Sequence, residues 1–109
     1  MIYLASPYSH INPAVREERF LQVRFVTVAM LRAGQPVFSP IVYGKDLEKQ
    51  IGYTFENWQI LNDAMIKACE VMFVLCLDGW KESRGVAHEI KLARSLGKAI
   101  AYIDQMETP

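Results

Sequence analysis

The longest apolar run of the chain is Val71-Met72-Phe73-Val74-Leu75-Cys76-Leu77. Every position in it is apolar, which is typical of a strand that is buried on both faces in a parallel sheet. The run is too short to cross a membrane, because a spanning helix needs about 20 apolar residues. It therefore predicts the central strand of an α/β domain, ended by Asp78-Gly79.

Shorter segments on both sides of this run complete a β-α-β-α-β-α-β order. Strands are predicted at residues 2–5, 37–39 and 99–103, and helices at about 13–33, 54–69 and 83–96. Asn12-Pro13 opens the first helix with a capping side chain and a proline suited to its first position. Residues 40–53 are predicted to form a long polar loop, of the length that is usually functional or mobile.

This alternation predicts a flavodoxin- or Rossmann-like α/β sandwich of three layers. Its sheet has four parallel strands in the order 2-1-3-4, with right-handed crossovers that place helices on both faces. We expect a single domain at residues 1–104 and a loose tail at residues 105–109.

The amino-acid composition limits the classes of binding partner and the cellular compartment that we expect. The chain has 109 residues, 51% of them hydrophobic, with 12 acidic side chains balanced by 12 basic ones. A balanced charge argues against binding to a nucleic acid polymer, which favours a basic stripe. The two cysteines, Cys69 and Cys76, lack C-x-x-C spacing and suit a reducing compartment. We therefore expect a cytoplasmic domain without a membrane partner.

Ligands of parallel sheets bind beyond the carboxyl ends of the strands. Those ends carry polar, aromatic and turn-forming residues that are candidates for ligand binding: Ser6, Pro7, Tyr8, Ser39, Pro40, Asp78, Gly79 and Trp80. Trp80 either covers a ligand as an aromatic lid or packs in the core, and the sequence leaves both open. No G-x-G-x-x-G or G-x-x-x-x-G-K-[ST] motif is present, and the two histidines lack metal-ligand spacing, so no cofactor or metal is expected.

The last predicted helix places a carboxylate and an anion site at the same end of the sheet. Glu89 falls at the margin of the apolar stripe, and its i+4 neighbour is Ala93, which offers no charge. Such a carboxylate is either functional or partly exposed past the stripe. Ser83 and Gly85 start the helix, where free amide groups favour an anion, although Ser83 could serve as an N-cap alone.

The preceding helix offers weaker candidates. Asp63 has Lys67 at i+4, which predicts a solvated ion pair. Asn62 lies at the edge of the buried side, which is less usual for an amide. For His10 and His88 we expect surface or loop roles.

Three motifs resemble the nucleoside 2-deoxyribosyltransferase-like superfamily: Tyr3-Leu4-Ala5-Ser6-Pro7-Tyr8, Asp78-Gly79-Trp80, and Ser83-x-Gly85-Val86-x-x-Glu89. Phe38-Ser39-Pro40 and Trp58 are similar to a small, largely uncharacterised bacterial and phage branch of it. The resemblance extends over nearly the whole chain.

The resemblance implies a set of roles. In the superfamily a helical Glu attacks the anomeric carbon of a deoxyribose, and Glu89 matches it. Tyr3 matches a tyrosine that positions this Glu, and Ser83 matches the phosphate-contacting serine of 2′-deoxynucleoside 5′-monophosphate N-glycosidases. A second carboxylate of the superfamily falls on Asn62, so protonation of the base would need the adjacent Asp63 or another residue.

The expected activity is cleavage or transfer of the N-glycosidic bond of a deoxynucleoside or its 5′-monophosphate. Two alternatives stay open, a non-catalytic nucleotide-binding module on the same fold and a structural subunit. A homo-oligomer is expected, because relatives complete their sites across subunits.

Overall fold

The computed structural model describes residues 1–105. Its strands and helices follow in the order β1 (Ile2–Ala5), α1 (Pro13–Arg32), β2 (Val37–Phe38), α2 (Pro40–Ile51), α3 (Phe55–Ala68), β3 (Val71–Cys76), α4 (Arg84–Ser95) and β4 (Ala99–Asp104). A short 3-10 turn, Trp80–Glu82, precedes α4. Of the predicted tail, residues 106–109 lie outside the described part of the chain.

The four strands form one parallel sheet in the order β2-β1-β3-β4. β3 pairs with β1 from Ile2↔Val71 onward and with β4 from Val71↔Ala99 onward, so the apolar run is central. The predicted α/β fold and strand order are therefore confirmed.

Alternating side chains of the strands build one core on each face of the sheet. Tyr3, Ala5, Met72 and Val74 pack with residues of α3 and α4. On the opposite face, Leu4, Leu75 and Leu77 pack with residues of α1 and α2. The period of two along a strand separates these sets, and each buried aliphatic side chain contributes about 1.5–3 kcal/mol.

The α1 helix begins and ends where the sequence predicts. Asn12 Oδ1 accepts a hydrogen bond from the Ala14 amide at 2.9 Å, and a proline occupies the first turn. Arg32 in the last turn complements the helix dipole. Within residues 1–105, neither α1 nor any other helix combines the length and apolar character needed to cross a membrane.

The prediction of a loop at residues 40–53 is wrong, because this segment contains α2. Ser39 Oγ accepts from the Val42 amide at 3.2 Å, and Pro40 takes the first helical position. Gly52, with φ of +61°, ends the helix in the left-handed conformation. The apolar side chains of α2 that pack on the core offset the polar composition that favoured a loop.

Candidate active site

A cleft of about 840 Å³ opens beyond the carboxyl end of β1. It is bounded by the β1–α1 loop, α2, the start of α3 and the start of α4. Of the residues predicted from the sequence, the following line it: Ser6, Tyr8, Pro40, Asn62, Asp63, Ser83, Gly85 and Glu89. Residues far apart in the chain are thus brought to one site by the parallel topology.

The remaining predicted residues lie behind or beside this cleft. Pro7 is fully buried, and Ser39 caps α2. The Asp78 carbonyl accepts from Arg19 Nη2 at 3.0 Å, and Gly79 adopts φ of +85° beside it. Trp80 packs under α4 with its ring centroid 5.5 Å from that of Tyr102, so it does not line the cleft.

Glu89 lies at the floor of the cleft and is only 7% exposed. The hydroxyl of Tyr3, itself 1% exposed on β1, donates a hydrogen bond to Glu89 Oε2. Burial raises the pKa of Glu89 to about 7, the Tyr3 hydrogen bond opposes that rise, and the charge of Asp63 adds to it. The pKa of Tyr3 is raised well above its usual value by burial and by Glu89. The site thus holds an oriented carboxylate in a poorly solvated environment.

A second pair of polar side chains joins α3 to α4 next to Glu89. His88 Nε2 lies 2.8 Å from Asp63 Oδ1, and the two side chains are 36% and 29% exposed. The predicted ion pair of Asp63 with Lys67 is therefore wrong, because helix packing supplies a nearer partner from α4. The His88 side chain, which is 36% exposed, is part of the wall of the cleft. His10 is exposed, and its Nδ1 accepts from the Asn12 amide at 3.0 Å.

The start of α4 has the features of an anion site. Ser83 Oγ accepts from the Val86 amide at 3.2 Å, which confirms its role as N-cap and leaves its hydroxyl hydrogen free to donate. A Cβ at Gly85 would approach only Ser83 Oγ, at 3.9 Å, so the backbone there is open to a ligand. The guanidinium of Arg84 adds a positive charge 5.2 Å from the Phe55 ring centroid.

Two buried polar atoms of the cleft lack a hydrogen-bond partner among residues 1–105. They are Ser6 Oγ and Asn62 Oδ1. Buried polar atoms in native proteins are nearly always paired, so a ligand or water is expected to satisfy both.

The aromatic wall of the cleft was only partly predicted. It consists of Tyr53, Phe55 and Trp58, with the Tyr53 and Trp58 ring centroids 5.0 Å apart. Lys45, whose Nζ lies 3.2 Å from the Tyr8 hydroxyl, was missed with the rest of α2. The roles of Tyr53 and Lys45 were missed because residues 40–53 were predicted to form a loop, although the Ser39-Pro40 pair resembles the cap of α1.

Within residues 1–105, no three histidine, cysteine, aspartate or glutamate side chains lie close enough together to hold a metal ion.

Two solved structures resemble this fold over nearly its whole length. The 2-deoxyribosyltransferase of the psychrotolerant bacterium Bacillus psychrosaccharolyticus is 26% identical with a TM-score of 0.65, and the match covers 99% of this chain and 75% of that one. The 2-deoxyribosyltransferase of Leishmania mexicana is 23% identical with a TM-score of 0.60, and the match covers 99% of this chain and 66% of that one. No curated protein matches the sequence.

The sequence profile of the family described as "Domain of unknown function (DUF1937)" matches residues 1–105. That match extends over the entire sheet and every residue of the cleft described above. The resemblance drawn from the motifs is confirmed by the family profile and the structural matches together. The chain belongs to the DUF1937 family, within the nucleoside 2-deoxyribosyltransferase-like superfamily.

Proposed function

We propose that the protein cleaves the N-glycosidic bond of a deoxynucleoside or a deoxynucleoside 5′-monophosphate, with Glu89 as the nucleophile. The observation that carries this proposal is the buried Glu89 carboxylate, bonded by Tyr3 at the floor of an open cleft. The likeness to two 2-deoxyribosyltransferases supports the same chemistry.

The chemistry requires an oriented carboxylate in a site that excludes water. One oxygen of Glu89 attacks the anomeric carbon as the bond to the base breaks, and a glycosyl-enzyme forms. Positive charge develops on the sugar, and a carboxylate in a poorly solvated site stabilises it more strongly than one in water. Tyr3 holds Oε2 of Glu89 and so fixes which oxygen is free to attack. Water, or a second base, then completes hydrolysis or transfer.

Different regions of the cleft suit the base, the sugar and the phosphate of a nucleotide. The aromatic wall of Tyr53, Phe55 and Trp58 offers surfaces on which a base stacks. Ser6 and Asn62 line the cleft and offer polar side chains for the sugar. At the start of α4, Ser83 and its neighbouring amides bind the 5′-phosphate.

The protein acts as a homo-oligomer in this proposal. Leu21, Val28 and Leu31 are exposed on α1 at 37%, 41% and 55%, and their spacing places them on one face of the helix. A second copy of the chain covers this face. Light scattering that gives the mass of a monomer at assay concentration would contradict this part of the proposal.

Incubation with the four deoxynucleoside 5′-monophosphates and the four deoxynucleosides tests the activity, with free base followed by chromatography. Base release that disappears in Glu89→Gln supports the proposal, because an amide oxygen is a poor nucleophile. Saturable binding without turnover favours the nucleotide-binding module, for which Asn62 in place of a carboxylate is the specific observation. The absence of both binding and turnover refutes both functions.

Ser83→Ala tests the phosphate site. Loss of a charge-assisted hydrogen bond should weaken binding of a monophosphate by about 1–3 kcal/mol and leave binding of the nucleoside nearly unchanged. Ser83→Thr, which keeps the hydroxyl and the N-cap, is the matched control. An equal loss for nucleoside and monophosphate would place the phosphate elsewhere.

A further inference from the structure

The pair of Asp63 and His88 stands beside the nucleophile without a role in the steps described so far. His88 and Glu89 are consecutive residues of α4, and both side chains line the cleft. Successive side chains of a helix point about 100° apart, so the two approach a ligand from different directions. Asp63 reaches His88 from α3, at 2.8 Å from Nε2.

We propose that His88, oriented by Asp63, is the general acid that protonates the departing base. This inference rests on the proposed glycosidase function. It adds the proton donor that is missing because Asn62 stands where the superfamily has a second carboxylate. An amide cannot donate a proton to a leaving base as a carboxylic acid can. The imidazole is the side chain that exchanges protons most readily near neutral pH.

The other titratable groups around the nucleophile are engaged or unsuited. Glu89 must be ionised to attack, and the Tyr3 hydroxyl is buried and bonded to it. The Tyr8 hydroxyl accepts a hydrogen bond from Lys45 and keeps its own hydrogen, but a phenol is a far weaker acid than an imidazolium. A guanidinium does not act as an acid in proteins. Asp63 serves best as an anion, because in that form it accepts from the ring and offers a counter-charge to it.

Gln59 completes the support of the ring. Its Nε2 lies 3.1 Å from Nε2 and 3.2 Å from Nδ1 of His88. Asp63 and Gln59 both belong to α3, so α3 orients the imidazole that α4 carries. With Nε2–H directed to Asp63, Nδ1 of the neutral ring can accept from the Gln59 amide. In the imidazolium, Nδ1–H is the proton that remains for transfer, and the Gln59 amide then turns away from it.

The proposed step balances in protons and electrons. The imidazolium gives its Nδ1 proton to an acceptor atom of the base, the electron pair of the C1′–N bond leaves with the base, and a Glu89 oxygen bonds to C1′. Neutral His88 then takes a proton from water as the water oxygen attacks C1′ and Glu89 departs as a carboxylate. Asp63 stays ionised throughout, so it is a positioning residue.

Leaving-group dependence tests this role. The natural deoxynucleoside 5′-monophosphate that the parent cleaves fastest is compared with the 4-nitrophenyl glycoside of 2-deoxyribose 5-phosphate, whose phenolate leaves without a proton. His88→Asn should lose at least about 100-fold in kcat/KM on the natural nucleotide and less than about 5-fold on the nitrophenyl glycoside. Asp63→Asn should show the same pattern with a smaller loss, and Glu89→Gln should lose both activities.

His10→Asn is the matched control, since this exposed histidine lies outside the cleft, and it should leave both rates unchanged. Equal losses of His88→Asn on the two substrates, or no loss on either, would overturn the inference while the proposed function stands. A larger loss in Asp63→Asn than in His88→Asn on the natural nucleotide would instead make Asp63 the acid. A parent protein that cleaves neither substrate would overturn the proposed function and the inference together.

Discussion

Replacing Glu89 with glutamine should stabilise the protein at alkaline pH and much less at acidic pH. Burial raises the pKa of this carboxyl from its ordinary value of 4.5 to about 7. Between these values the unfolded chain has released the proton while the folded protein still holds it. Since the unfolded state then binds fewer protons, the free energy of unfolding falls as the pH rises through this interval. Above pH 7 both states are ionised, and the cost stays constant.

The magnitude follows from the width of that interval. At ~1.4 kcal/mol per pH unit, the raised pKa of Glu89 costs the folded protein about 1 kcal/mol at pH 5 and about 3 kcal/mol at pH 8. Glutamine resembles the protonated carboxyl in shape and can still accept from Tyr3, so the variant should escape this cost.

Urea unfolding of parent and variant at pH 5 and pH 8 measures the difference. The stability gain of Glu89→Gln should increase by about 2–3 kcal/mol between the two conditions. Glu82→Gln removes an exposed carboxylate at the rim of the same cleft and should show no such increase. A gain in Glu89→Gln that is the same at both pH values would refute the raised pKa and the desolvated environment inferred from the structure.

Three further predictions concern the surroundings of the cleft. Tyr3→Phe removes the hydrogen bond that lowers the pKa of Glu89, so the acidic limb of the pH dependence of kcat/KM should move to higher pH. The variant should also have a reduced kcat and a nearly unchanged KM. Gly44→Ala places a Cβ 3.1 Å from the Trp58 ring, which lines the open cleft and can shift away, so it should raise KM while changing the free energy of unfolding in denaturant by less than about 1 kcal/mol. An unchanged KM would show that the ring does not contact substrate. Gly79→Ala forces a side chain into φ of +85° and places a Cβ 2.5 Å from Arg19 Nη2, so it should displace this guanidinium from the Asp78 carbonyl. Stability in thermal unfolding should fall by at least about 1–2 kcal/mol.

The fold was predictable wherever the apolar pattern and the capping residues of a segment indicate the same secondary structure. The central strand at residues 71–77 is apolar at every position, and only a strand covered on both faces explains such a run. The α2 helix was missed because Gly44 and the polar side chains around it look like loop signals. In the structure Gly44 is buried and lets the Trp58 ring approach, so a packing requirement was mistaken for a break in the helix.

The candidate site was predictable in its individual residues and much less in its contacts. Helical spacing marks Glu89 as a carboxylate beside an apolar stripe, and the structure buries it there. The contact of Asp63 with His88 depends on how α3 packs against α4, and sequence spacing alone favours Lys67 as the partner. Local periodicity carries no information on such contacts between helices.

Arg19 on α1 links two of the loops around the carboxyl ends of the strands. Its guanidinium donates to the carbonyls of Ser9 at 2.8 Å and Asp78 at 3.0 Å. The loop that follows β1 is thereby tied to the loop that follows β3, whereas the aromatic wall belongs to α3 and the segment before it. Under the proposed function, residues 53–58 can therefore change to fit a different base while the carboxylate and its tyrosine keep their positions. The architecture separates the residues that would select the base from those that the proposed chemistry requires.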